Sequence, residues 1–151
     1  MTEISFYHLQ KSLFEEALPR LLEKTLILGR RAIVKVNSRA YVEKLNAHLW
    51  DYQKDAWLPH GCEKDGHGEY QPIWLTTIDE NPIGATFLFL LEGAHSAEIS
   101  AFERCFELFD GNNNAQLTRA RNLWKSYKKD GHLLKYLKQN ERGEWHEKTV
   151  D

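Results

Sequence analysis

A few groups of residues have the types and spacing that chemistry uses. His60, Cys62 and His67 lie close together and are candidate metal donors. Structural zinc, however, wants four nitrogen or sulfur ligands in paired spacings. No second pair follows, so these three are expected to be polar residues of an exposed loop. The neighbouring carboxylates Glu15-Glu16 and Asp79-Glu80 suggest an acid and a base. Adjacent residues point to different faces, though, and solvated charge is the simpler reading. Cys105, between Phe102 and Phe106, reads as a small core residue. No Gly-x-Ser-x-Gly elbow presents a nucleophilic serine, and no glycine-rich loop of either nucleotide-binding pattern occurs. The turn Glu92-Gly93-Ala94-His95-Ser96 has one glycine and an acid where a phosphate would sit. A catalytic site, a metal and a cofactor are therefore not expected.

Binding chemistry is better represented. On a helix beginning near Ala115, Leu117, Ala120, Leu123, Trp124 and Tyr127 share one stripe, and Arg121, Lys125 and Lys128 form the stripe beside it. Trp124 lies where the two meet. Between Arg119 and Gln139 there are seven basic residues and one acid, Asp130, a local +6 inside a chain of −2. A solvated basic face beside an ordinary core stripe would look like this. So would an aromatic anchor flanked by cations, able to take an acidic apolar peptide or a phosphate backbone. A carboxylate would engage Arg121 in bidentate fashion and Lys125 as a point charge. A second apolar cluster, Leu49, Trp50, Trp57, Leu58 and Pro59, surrounds the polar run Asp51–Asp55. It reads as packing of a long connection, or as an aromatic patch for a permanent partner.

The elements that must position these residues follow from periodicity. Ile4–Leu9 alternates as a strand. Ser12 caps a helix to about Leu28, with Leu18, Leu21, Leu22 and Thr25 on one face. Pro19 predicts a kink or restart in it, and Gly29 its end. Ala32–Val36 is β-branched and short, hence a strand, and Asn37 or Ser38 caps a helix from Arg39 to Trp50 with Val42, Leu45 and Leu49 inward. Cys62–Gln71 reads as a loop, Ile73–Thr77 as a strand, and Thr86–Leu91 as a strand buried on both faces. A helix is expected from Ser96 or Glu98 to Phe109, another from Ala115 to Lys129 stopped by Gly131, and a last strand at Leu133–Gln139 before a polar tail. The sum is a three-layer α/β/α domain with a mostly parallel central sheet, Rossmann-like without a phosphate loop.

The 151 residues amount to a single domain over 1–151, with 42% hydrophobic and 28% charged residues, ordinary globular usage. Twenty Lys and Arg against 22 Asp and Glu exclude a polyelectrolyte partner for DNA as a whole. Two cysteines fit a reducing cytosol. Met1–Gln10 has no signal-peptide character, and Gly84–Leu91, the longest apolar stretch, is too short to span a membrane.

Set in order, these residues resemble a known family. They include Phe6-Tyr7, Pro19–Lys24, Trp57–Gly61, Pro72–Thr77, Asn81–Ala85 and Phe109–Gly111. Ala120–Lys128 is the densest match, followed by Gly131-His132 and Gly143-Glu144-Trp145. The chain resembles the chi subunit family of bacterial DNA polymerase III holoenzyme. The resemblance implies a non-catalytic accessory subunit in the cytoplasm, associated with the replisome. It further implies an adaptor in DNA replication, linking the clamp-loader complex, through the psi subunit, to single-stranded-DNA-binding protein. Carried over by position, the acidic C-terminal tail of the latter meets Arg121, Trp124 and Lys125, with Lys128 beside them, and psi meets Trp50, Trp57, Leu58 and Pro59. The chain would then be a monomer or a heterodimer, meeting DNA mainly indirectly. The alternative is a direct single-stranded nucleic-acid-binding protein using the same basic helix.

Overall fold

The computed structural model describes residues 2–10, 14–51, 60–62, 72–91 and 93–148, the side chains of Trp50 and Asp51 excepted. Strand β1 (Glu3–Leu9) leads into α1 (Phe14–Ile27), β2 (Ala32–Lys35) and α2 (Arg39–Asp51). Ser12, expected to cap α1, lies outside the described residues. Pro19 does not restart the helix, which runs through it. Proline cannot donate to the carbonyl four residues back. That carbonyl, Glu15 O, accepts instead from His48 Nε2 of α2 at 2.5 Å. At the far end Gly29 takes φ of +73°, Arg30 N–H reaches Thr25 O, and Gly29 N–H reaches Leu26 O. This is the six-to-one and five-to-two pattern that closes a helix on glycine. Ser38 caps α2, its Oγ accepting from Tyr41 N–H at 3.1 Å.

The chain continues through β3 (Gly61–Cys62), β4 (Ile73–Thr76), β5 (Phe87–Leu91), a 3₁₀ turn (Ile99–Ala101), β6 (Arg104–Asp110), α3 (Asn114–Lys129), β7 (Leu133–Gln139) and β8 (Trp145–Lys148). The strands lie in the order β3-β4-β2-β5-β6-β1-β7-β8. Every described pairing is parallel except β7 with β8. Leu18, Leu22, Leu45 and Leu49 of α1 and α2 cover Val34, Leu75, Phe89 and Phe106 on one face. Ala120 and Tyr127 of α3, with Phe102 and Ile83, cover Ile4, Phe6, Leu88 and Cys105 on the other. The three-layer α/β arrangement expected from the sequence is present. Among the described residues, no helix is long and apolar enough to cross a membrane.

Three expectations need correction. The helix expected from Ser96 to Phe109 is a three-residue 3₁₀ turn followed by β6, which lies between β5 and β1. Ile99, Phe102, Phe106 and Phe109 do fall at helical spacings. However, Cys105 to Phe109 are all buried, on both faces of the sheet, and a short apolar run does not distinguish a buried strand from a buried helix. Cys105 is a core residue, 0% exposed, but on a strand. Secondly, Cys62 is no loop residue. With Gly61 it pairs alongside Trp74 and Leu75, and a strand entering a sheet buries its side chains. Cys62 and His60 are accordingly buried, with His60 Nε2 3.2 Å from Asn46 O. His67 and the rest of 63–71 lie outside the described residues. Thirdly, the polar tail contains β8, an antiparallel partner for β7 reached through a turn in which Gly143 takes φ of +81°. Trp145 anchors it, edge-on to Tyr7 at 4.9 Å.

Candidate functional site

Open α/β sheets tend to offer a crevice outside the carboxyl ends of their strands. Here a cleft of about 160 Å³ lies beside the ends of β2, β4 and β5. Lys35 Nζ reaches across it to Asp79 Oδ1 at 3.0 Å and to His95 O. Asp79 also accepts from Ser96 Oγ at 2.6 Å and Ala97 N–H at 3.2 Å. Burial pushes the Asp79 carboxyl up, but hydrogen bonds from Ser96, Lys35 and Ala97 outweigh it and hold it below its ordinary range. Glu80 accepts from Thr76 Oγ1 at 2.7 Å and Trp74 Nε1 at 2.9 Å. These two carboxylates are thus tied into the structure, not simply solvated, because donors from neighbouring strands and turns converge on them. Glu15 pairs with Lys44 at 3.4 Å, while Glu16 is exposed. The cleft presents its own carboxylate and lysine to each other.

The basic helix is a different case. Asn113 caps α3, Oδ1 accepting from Gln116 N–H at 3.0 Å. Gly131, with φ of +85°, closes it as His132 N–H reaches Tyr127 O. Its inward side is pinned by Ala120 and by Tyr127, whose hydroxyl donates to Glu107 Oε1 at 2.7 Å in the core. That fixes the rotation of the helix. Arg121, Lys125 and Lys128 are exposed on one flank, and Trp124 is half-buried at its edge. Trp124 packs partly into the core. Its ring packs edge-on to Phe6 at 5.3 Å and to Tyr136 at 5.9 Å. Its Nε1 nevertheless has no hydrogen-bond partner among the described residues.

Strand β7 completes the surroundings. In the parallel register Phe6 is opposite Tyr136 and His8 opposite Lys138. In the antiparallel hairpin Tyr136 is opposite Lys148 and Lys138 opposite His146. Paired residues share a face, so His8, Tyr136, Lys138, His146 and Lys148 lie on the α3 side. On that face the rings of Trp124 and Tyr136 meet, 5.9 Å apart, where the helix packs against the hairpin. His8 Nδ1 lies 2.5 Å from the Tyr136 hydroxyl, and His8 Nε2 is buried without a partner among the described residues. Burial, then Lys138, Lys148 and Arg121, push the His8 imidazole down to about 4, so it is neutral at pH 7. Among the described residues, none of Arg121, Lys125, Lys128, Lys138 and Lys148 forms an ion pair. Lys135, on the opposite face of β7, does pair, with Glu3 at 3.1 Å. Cations of this kind beside an aromatic pair attract anions that carry an apolar group.

His8, Tyr136, Lys138 and Lys148 escaped the sequence reading. The alternation Leu134, Tyr136, Lys138 was a usable signal, but joining it to His8 requires a pairing 130 residues apart in the chain. Of the second predicted surface, Trp57, Leu58 and Pro59 lie outside the described residues, and Trp50 is described in its backbone alone, at the end of α2. That helix packs on the sheet face opposite α3.

Comparison with known proteins places these residues in context. The family model described as DNA polymerase III chi subunit, HolC, matches residues 1–135. A relative from Rickettsia prowazekii (strain Madrid E), described as a probable DNA polymerase III subunit chi, is 29% identical over 109 residues. That match covers 72% of this chain and 66% of the relative, so it spans just under two thirds of the curated protein's length.

Proposed function

The chain belongs to the DNA polymerase III chi subunit family, and from that premise we propose that it is a non-catalytic adaptor of DNA replication. It binds the acidic, apolar-ended C-terminal tail of single-stranded-DNA-binding protein and joins it, through a psi-like subunit, to the clamp-loader complex. One observation carries the reading: among the described residues, Arg121, Lys125, Lys128, Lys138 and Lys148 form no ion pair, and they share the side of the sheet on which Trp124 and Tyr136 meet. Trp124 and Tyr136 receive the apolar end of the tail. Arg121, Lys125 and Lys128 receive carboxylates, each contact contributing about 1.5–3 kcal/mol where partly desolvated. The second partner is taken by Trp50, Trp57, Leu58 and Pro59. Work at a cytoplasmic replication fork follows from the same reading.

The test is fluorescence anisotropy of a labelled acidic peptide ending in Pro-Phe. Micromolar binding is expected for the wild type. Trp124→Ala and Lys125→Glu should each weaken it tenfold or more, on the order of 1.4–2 kcal/mol. If the protein ignores the peptide and binds single-stranded DNA with a steep salt dependence, the basic surface serves nucleic acid directly.

A further inference from the structure

Lys138 and Lys148 lie outside the residues matched by the family model, 1–135, and outside every role given so far to the basic helix. Resting on the peptide-binding reading, we propose that the C-terminal β7–β8 hairpin is the second half of the peptide-binding surface begun by α3, where Lys138 and Lys148, with Arg121, seat the terminal carboxylate of the peptide and so fix its direction.

The argument starts from register. Lys138 is opposite His8, and Lys148 is opposite Tyr136, so both lysines flank the aromatic pair on the side away from Lys125 and Lys128. Arg121 approaches the same place from α3, since it acts electrostatically on both His8 and Tyr136. Three cations from three separate elements therefore converge where like charges repel. The one acid acting on His8 there is Asp110. Beneath them lies His8, 6% exposed, with an unpartnered ring nitrogen. An assembly of that kind is stabilised when an anion enters.

The geometry also says which anion. A terminal carboxylate is joined to the same residue as the apolar side chain, so it must lie beside the aromatic pair. Carboxylates upstream are spaced about 3.3–3.6 Å per residue along an extended chain. Lys125 and Lys128 lie close to one turn apart on the helix, about 4.5–5.4 Å, a spacing that suits successive side chains. The peptide thus runs with its end toward the carboxyl ends of the strands and its acidic residues toward the C-terminus of α3.

Two peptides of one acidic sequence ending in Phe, one with a free carboxylate and one amidated, separate the possibilities. Each is titrated into the full chain and into the double variant Lys138→Ala/Lys148→Ala, with circular dichroism to show that both proteins are folded. The wild type should prefer the free acid by about tenfold or more. In the double variant that preference should shrink to about twofold, while replacement of upstream acids by amides still weakens binding as in the wild type. A preference unchanged by the double variant overturns the hairpin seat and leaves the peptide reading standing. Binding of neither peptide by the wild type overturns the peptide reading itself.

Discussion

Glu107 occupies the middle of a parallel sheet, 6% exposed, with Tyr127 donating to its carboxylate. Burial raises the Glu107 carboxyl to about 7, against the opposing pull of the Tyr127 hydrogen bond and the Arg119 charge. The unfolded group ionises near its ordinary 4.5, so the folded state resists an ionisation that the unfolded state accepts. The resulting penalty is absent below pH 4.5, grows between 4.5 and 7, and is constant above, at about 3 kcal/mol. Glu107→Gln keeps an oxygen to accept from Tyr127 and removes the charge. Urea unfolding should therefore show the variant gaining stability over the wild type as pH rises from 5 to 8. An equal difference at both pH values would mean that Glu107 does not titrate in this range. His8 shifts the other way, to about 4, and is neutral in both states above pH 7. It contributes a stability loss only on acidification, when the unfolded imidazole takes a proton that the folded one refuses.

At the scale of elements, α1 and α3 were legible because their signals are local. Asn113 and Gly131 bound an unbroken helical period in α3, and Gly29 ends α1 within the turn the sequence assigns it. By contrast, β6 was misread because Glu107, in the middle of the strand, breaks the apolar run and leaves Phe102, Phe106 and Phe109 to suggest a helix. The partner that lets Glu107 sit there is Tyr127, twenty residues on. Trp145-His146-Glu147-Lys148 is too polar to announce a strand, and only its pairing with β7 makes it one. The same limit applies to the basic surface. The helix half could be read from Arg121, Trp124 and Lys125, whereas Tyr136 and His8 join it through tertiary pairing alone. The join between β6 and α3 is itself tight. A Cβ at Gly111 would stand 1.9 Å from His8 Nε2 and 2.9 Å from Leu9 O. Gly111→Ala should cost about 1–3 kcal/mol in chemical denaturation. Adding His8→Ala should recover part of that loss, whereas two independent losses would add.

For the whole molecule, charge is unevenly shared: a stretch of +6 lies inside a chain of −2. Exposed charges interact over about 8–10 Å at physiological salt. Peptide affinity should therefore fall steadily as salt rises from about 50 to 500 mM. Surface plasmon resonance should place most of that change in the association rate, because steering acts before contact. Arg121→Ala/Lys128→Ala should flatten the salt slope while retaining part of the affinity that Trp124 supplies; a slope left unchanged would locate the attraction elsewhere on the surface. The strand order has a consequence of another kind. Ile4 finds its neighbours in Cys105 on one side and Leu134 on the other, both far later in the chain. At about 5–20 residues per second, a ribosome needs roughly 5–20 s after Ile4 to produce Cys105. Throughout that interval the newborn β1 has neither of its sheet neighbours, β6 and β7. The nascent chain therefore has a long window in which a chaperone, or a second nascent chain, can reach an apolar strand edge that the finished molecule hides.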